Sequence, residues 1–148
     1  MKNKYMVVFL AALIIVLIDQ IAKFLIKTNF QLNQNLPIVK NFFHLRYIHN
    51  FGAGFGILQQ QTWILIFISI TVIGVIFYYL DRISDKEILP QIFVGFVLGG
   101  TIGNLIDRIA YGFVIDFLDF RVWPIFNFAD SFVTIGVIGV IVYLWKKG

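Results

Sequence analysis

An apolar chain has little reason to place polar side chains inside its hydrophobic runs. Yet Asp19, Asn104, Asp107, Asp116 and Asp130 all lie within or at the rim of one. Most fall in the stretch 99–131, as GGTIGNLIDR, then GFVIDF, then FNFADS. An ionised carboxylate in hydrocarbon costs at least ~2.5–3.5 kcal/mol on insertion scales, so such residues are rarely accidental. Aspartates gathered near one membrane level suggest paired-carboxylate chemistry. Two carboxyl groups in contact cannot both ionise cheaply, so they share a proton and their pKa values separate. The charged member can deprotonate a water while the neutral one polarises a carbonyl.

Asp130 is the sharpest candidate for such a pair. With Asn127 as N-cap of a following helix, Asp130 takes position N3, where exposed amides and the helix dipole stabilise a carboxylate. Alone, that is a capping box with Asp in place of Glu. A second carboxylate close by would make it the site of an aspartic protease. Asp116 and Asp119 lie in IDFLDF, a short loop upstream. The fourteen residues from Asp116 to Asp130 reach ~46 Å when extended, ample for folding back. The residues alone leave Asp107, Asp116 and Asp119 all open as the partner.

Asp19 precedes Lys23 by one helical turn, the favourable order for an acid and a base, and reads as a buried ion pair. Asn104, Asp107 and Arg108 share a turn and a half, at i,i+3 and i,i+4 spacings that allow all three to meet. Arg108 also suits the negative end of a helix dipole. Other chemistries fit poorly. Cysteine is absent, the only serines are Ser69, Ser84 and Ser131, and neither GxSxG nor HExxH occurs. His44 and His49, five apart on a predicted strand, should point to opposite faces and make no metal pair; both read as interfacial side chains. No glycine-rich phosphate cradle precedes a helix.

The elements that must position these residues are membrane helices. The 148 residues are 59% hydrophobic and 14% charged, with mean hydropathy +0.87, against about a quarter charged for a soluble domain. One membrane domain over residues 1–148 is expected. Four segments, 5–26, 63–80, 88–109 and 128–145, approach the ~20 apolar residues that cross a bilayer. The first, with Lys2 and Lys4 ahead of it, resembles a signal peptide. No small-residue cleavage site follows its apolar core, so it reads as a retained helix. Trp63, Tyr78, Tyr79, Tyr143 and Trp145 mark span ends as an interfacial belt. Gly95, Gly99 and Gly103 form a small-residue stripe that predicts close helix packing at the bundle centre. Both termini share one side, with Lys2, Lys4, Arg82, Lys86, Lys146 and Lys147. The other side holds Lys27, Lys40, Arg46 and Arg121, with Lys23 and Arg108 near helix ends. The positive-inside rule then favours cytoplasmic termini, with the loops 27–62 and 111–127 outside. A net charge of +4, spread thinly, fits contact with lipid headgroups and argues against nucleic acid.

The first outer loop is structured. NFFHLRYIH alternates Phe43, Leu45 and Tyr47 with His44, Arg46 and Ile48, which predicts a strand in a small sheet on the membrane surface. Pro37 and the preceding QLNQN mark a turn, and Gly52, Gly54 and Gly56 permit a bend.

The chain resembles the lipoprotein signal peptidases, the bacterial signal peptidase II family of intramembrane aspartic proteases. The likeness rests on five ordered blocks: DQIAK from Asp19, HNFGAGFG from His49, GGTIGNLIDR from Gly99, GFVIDF from Gly112 and FNFADS from Phe126. The resemblance implies a catalytic pair of Asp116 and Asp130. It also implies supporting or substrate-contacting roles for Asp19, Asn50, Asn104, Asp107, Arg108 and Asn127. The implied substrate is a diacylglyceryl-modified prolipoprotein, cut before its lipidated cysteine at the outer face of the bacterial cytoplasmic membrane. Membrane lipids are the other partners, a monomer is the expected state, and the chemistry needs no cofactor. Three positions depart from the family pattern. His49 stands where Arg is frequent, the Asp116–Asp130 loop is short, and Phe128 replaces a smaller residue and should narrow the active-site pocket. The alternative functions are a small ion- or proton-conducting membrane protein and a purely structural membrane subunit.

Overall fold

A computed structural model of the protein describes residues 3–54 and 57–147. Lys2, Phe55 and Gly56, which carry part of the orientation argument and of the glycine bend, lie outside the described residues. The elements run α1 (Asn3–Asn29), β1 (Asn35–Val39), β2 (Phe43–Asn50), α2 (Thr62–Leu80), α3 (Ile88–Tyr111), β3 (Val114–Asp119) and α4 (Phe128–Lys147). All four helices are long and apolar enough to cross a membrane, and each contains its predicted span. The 27 residues of α1 extend about 40 Å at 1.5 Å per residue, longer than a ~30 Å hydrocarbon core.

Helix α3 is the centre of the bundle, packed between α1 and α4, because small residues open two of its faces. A Cβ on Gly99 would stand 2.6 Å from the Ala12 carbonyl oxygen of α1, and one on Gly103 only 2.7 Å from Asp19 Oδ2. Gly100, one position round, meets the Ala129 carbonyl of α4. The predicted glycine stripe thus faces α1, and Gly100 adds a second close approach toward α4. The large residues on the opposite helix faces, such as Phe24, Phe67 and Ile141, stay exposed, as lipid-facing side chains do.

The strands form one antiparallel sheet in the order β1-β2-β3. The turn predicted from QLNQN is present at 31–34, where Gln34 N donates to Gln31 O at 2.9 Å. Pro37, however, lies inside β1 and not in that turn. A proline lacks the N–H that a central strand needs, but an edge strand tolerates it. Segment 114–119, expected within the outer loop 111–127, is instead a strand with every residue buried. A strand covered on both faces shows no polar–apolar alternation, so periodicity misses it.

The alternation predicted for β2 also breaks. Its register against β3 passes from Leu45↔Leu118 to Ile48↔Asp116, so β2 spends three steps where β3 spends two. This bulge turns the rest of β2 over. Ile48 and Asn50 now share the face of Asp116, which they would otherwise oppose. His44 and His49, opposite Asp119 and Ile115, fall on one face and not on opposite ones as expected. Four strand residues, about 13 Å, still separate them. That second face, with Tyr47, Ile115 and Phe117, packs on Ile26 near the end of α1, which ties the sheet to the bundle.

Candidate active site

The site forms where α4 begins. Asn127 caps the helix through Oδ1, which accepts the Asp130 N–H at 2.9 Å, and Asp130 Oδ2 accepts the Asn127 N–H at 3.2 Å. This is the reciprocal capping box expected from FNFADS. It leaves Asn127 Nδ2 facing away from the cap, 2.7 Å from Asp116 Oδ1. Asp116 Oδ2 accepts Asn50 Nδ2 at 2.8 Å, a bond available only because the β2 bulge brings Asn50 to that face. Asp130 Oδ1 accepts Asn104 Nδ2 at 2.7 Å. Each of the four carboxyl oxygens therefore holds one N–H donor.

Asp116 and Asp130 line a single cavity of about 270 Å³, with Arg108, Gly52 and Trp123 among its other walls. Asp116 is 1% exposed. Its burial, and next the nearby charge of Asp130, push its pKa up to about 8 against the pull of Asn50, Lys23 and Asn127. Of the three partners left open for Asp130, the structure brings Asp116 into its cavity. Asp119, three strand positions from Asp116, points to the other face. There Arg121 meets it through its backbone N–H at 2.9 Å and its Nη1 at 3.2 Å. Asp107 is committed elsewhere.

A second layer lies behind the pair. Lys23 is ion-paired with Asp19 at 2.7 Å, as its spacing predicts, and also with Asp107 at 2.9 Å. Asp19 Oδ1 accepts the Ala129 N–H at 2.9 Å and so caps α4 from α1. Asp107 Oδ2 accepts the Ile115 N–H at 3.1 Å, holding β3 beside the bundle. Arg108 Nη2 reaches the Gly52 carbonyl at 3.5 Å. Asn104, Asp107 and Arg108 therefore do not close on one another as their spacing suggested. Each finds a better long-range partner: Asp130, Lys23 with Ile115 N–H, and Gly52.

Sequence reasoning gave no role to Gln20. Its Nε2 lies 3.0 Å from Asp107 Oδ1 and 3.1 Å from the Gly103 carbonyl. The only signal for it was its place beside Asp19 in DQIAK.

The histidines take no part in the pair. His44 is buried, with Nδ1 2.9 Å from Asn35 Oδ1, and not an interfacial side chain. His49 stacks on Phe113 at 3.7 Å with Nε2 2.9 Å from the Tyr47 hydroxyl. Burial, and then Lys27, lowers its pKa. At neutral pH it adds no charge beside the site. Among the described residues, no group of three or more His, Cys, Asp or Glu is arranged to hold a metal. Phe128 does not narrow the cavity of Asp116 and Asp130. It packs edge-on against Phe117, with ring centres 5.4 Å apart, and lines an apolar cleft of about 840 Å³ between α1, the sheet and α4. A smaller cleft of about 460 Å³, walled by Trp123, Phe126 and Ile135, reaches Asp130 itself.

Comparison with known proteins places the chain in one group. Residues 11–146 match the family model described as signal peptidase (SPase) II. A lipoprotein signal peptidase of Halothermothrix orenii is 44% identical over 142 residues, covering 95% of this chain and 96% of its own length. One from Moorella thermoacetica is 42% identical over 137 residues, covering 93% and 89%. A solved structure described as a bacterial membrane enzyme, obtained by the in meso method at 2.3 Å resolution, superposes with a TM-score of 0.89 at 31% identity, covering 94% of this chain and 87% of that one. A second, at 1.9 Å resolution, gives 0.86 at 31% identity, covering 95% and 94%.

Proposed function

The chain belongs to the signal peptidase II family, and from that premise we propose an intramembrane aspartic endopeptidase with Asp116 and Asp130 as its catalytic pair. Its substrate is a prolipoprotein whose cysteine already carries diacylglycerol, and the bond cut is the one before that cysteine. The observation that carries this reading is the shared cavity, in which one residue, Asn127, donates to both carboxyl groups, to Asp116 from its side-chain amide and to Asp130 from its backbone N–H.

The two environments support a division of roles. Asp130 sits at a helix N-terminus with Arg108 on the same cavity wall, a setting that favours the anion. Asp116, raised to about 8 chiefly by burial, holds the shared proton at neutral pH. A water between them attacks the scissile carbonyl carbon and gives a proton to Asp130, while Asp116 protonates the carbonyl oxygen. When the tetrahedral intermediate collapses, Asp130 passes its proton to the leaving cysteine amine and the oxygen returns its proton to Asp116.

The apolar clefts beside α4 suit acyl chains, and the sheet around Asn50 suits the peptide above them. Both termini are cytoplasmic in this reading, the pair faces outward, and one chain suffices. A conducting protein would need titratable groups through the bilayer depth. The buried carboxylates described here, Asp19, Asp107, Asp116 and Asp119, gather with Asp130 toward the end where α3 finishes and α4 begins, which favours the peptidase.

The test is cleavage of a lipidated reporter by purified Asp116→Asn, Asp130→Asn and Asp119→Asn proteins. The first two should fold, insert and cut nothing, while the third stays active. Wild-type turnover in either of the first two would end the assignment.

A further inference from the structure

Behind the pair lies a buried cation that the mechanism above does not use. Lys23, only 2% exposed, donates to Asp19 Oδ2 at 2.7 Å, Asp107 Oδ2 at 2.9 Å and Asn104 Oδ1 at 3.0 Å. An ammonium has three N–H donors and no lone pair, so all of its capacity is committed. The third bond matters for the pair. A carboxamide accepts at one end of a flat group and donates at the other, and an ammonium tolerates only the oxygen. Asn104 must therefore turn its nitrogen away from Lys23, and that nitrogen is the donor 2.7 Å from Asp130 Oδ1. The same Asn104 oxygen accepts Asn127 Nδ2 at 3.0 Å. Asn127 is locked independently, because its own oxygen is held by the Asp130 N–H.

We infer that Lys23 is a positioning residue for the reaction: through Asn104 it holds an N–H donor on Asp130 and so keeps one member of the pair anionic. The inference rests on the reading of Asp116 and Asp130 as a catalytic pair. Without the cation, the Asn104 oxygen keeps only Asn127 Nδ2, a group it shares with Asp116 Oδ1, and the stronger of its two restraints against rotation about the terminal side-chain bond is gone. Once its oxygen faces Asp130, the two oxygens are satisfied only if the pair binds a second proton. The charged and titratable groups around the pair are Arg108 and Asp107 from α3, and Lys23 and Asp19 from α1; each pair member also faces the other. Removing Lys23 alone alters charge as well as orientation. The informative variant is therefore Asp19→Asn combined with Lys23→Met, which leaves the Asp19, Lys23, Asp107 trio with one negative charge before and after. Asn104→Leu is its complement, since it keeps all three charges and removes only the relay.

The experiment is a pH titration by difference infrared spectroscopy of protein in lipid nanodiscs, following the carboxylic-acid band that disappears in Asp130→Asn. Alongside it runs the pH dependence of kcat/KM on a lipidated reporter. Both the double variant and Asn104→Leu should move uptake of the second proton upward by at least one pH unit. The acid limb of kcat/KM should follow, with KM within about twofold of wild type, since Lys23 does not line the cavity. A folded variant of either kind with an unshifted band would overturn the inference and leave Lys23 a structural ion pair. The band decides this whether or not substrate is cut. Failure of the peptidase reading would show separately, as wild-type protein that cuts nothing.

Discussion

Replacing Asn127 by Ala, and separately by Ser, divides its structural work from its part in the chemistry. The Ala variant removes the acceptor for the Asp130 N–H and the donors to Asp116 Oδ1 and Asn104 Oδ1. Loss of an N-cap costs ~1 kcal/mol. A buried hydrogen bond to a group that shares a charge is worth a further ~1.5–3 kcal/mol. The variant should therefore unfold about 3 kcal/mol more easily than wild type. Ser at 127 restores the cap, because its hydroxyl accepts the same N–H, and so recovers ~1 kcal/mol. It is too short to reach Asp116. If the amide stabilises charge on the pair during reaction, its loss costs ~1.5–3 kcal/mol of barrier, about 10- to 100-fold in kcat/KM. Both variants should show that loss to a similar degree, although their stabilities differ. The measurements are thermal unfolding in detergent and cleavage of a lipidated reporter at a fixed amount of folded protein. Wild-type kcat/KM in Asn127→Ser would refute the role given to the amide. An Ala variant as stable as wild type would refute the capping account.

Asp116 carries a proton below about pH 8 because burial, and then the charge of Asp130, raise it. A proton-donating role is thus intact below that pH and lost above it. Activity should fall as pH rises through about 8, whereas stability should fall earlier, from the ordinary carboxylate range up to about pH 8 where only the native state holds the proton, and level off above it. A flat rate from pH 7 to pH 10 would remove Asp116 as the acid. For the substrate, three matched peptides separate anchoring from recognition: diacylated, unmodified, and tethered by a transmembrane helix without acyl chains. The unmodified peptide should be cut slowest, having lost ~0.8 kcal/mol of partitioning per buried methylene. The tethered one should recover encounter but not full turnover. Equal rates for the diacylated and tethered peptides would show that the clefts beside α4 bind no acyl chain.

Apolar length made the helices legible, and the N-cap grammar of FNFADS made the geometry of Asn127 and Asp130 legible. The Asp19–Lys23 pair followed from helical spacing alone. What stayed hidden depended on the sheet. Asp116 and Asp119 look equivalent in IDFLDF until a strand, whose side chains alternate, sends them to opposite faces. That strand was missed because both its faces are buried. The reach of Asn50 to Asp116 required a bulge in β2, and no residue in FHLRYIHN announces one. Spacing along α3 suggested a local cluster of Asn104, Asp107 and Arg108. The partners that win, Lys23, Ile115 and Asp130, come from other elements.

The bond from Ala129 N to Asp19 spans 110 residues, and it bears on how the protein is made. The first helix enters the membrane carrying Asp19 and Lys23 one turn apart, so they can neutralise each other before any other partner has been translated. Everything else at the site arrives later: Asn50, then Asn104 and Asp107, then Asp116, and last Asp130. Until the final 20-residue helix inserts, the growing chain has a closed ion pair and no second carboxylate for Asp116. On the proposed mechanism, hydrolysis then becomes possible in a single late step of biosynthesis, when α4 docks its N-terminus onto α1.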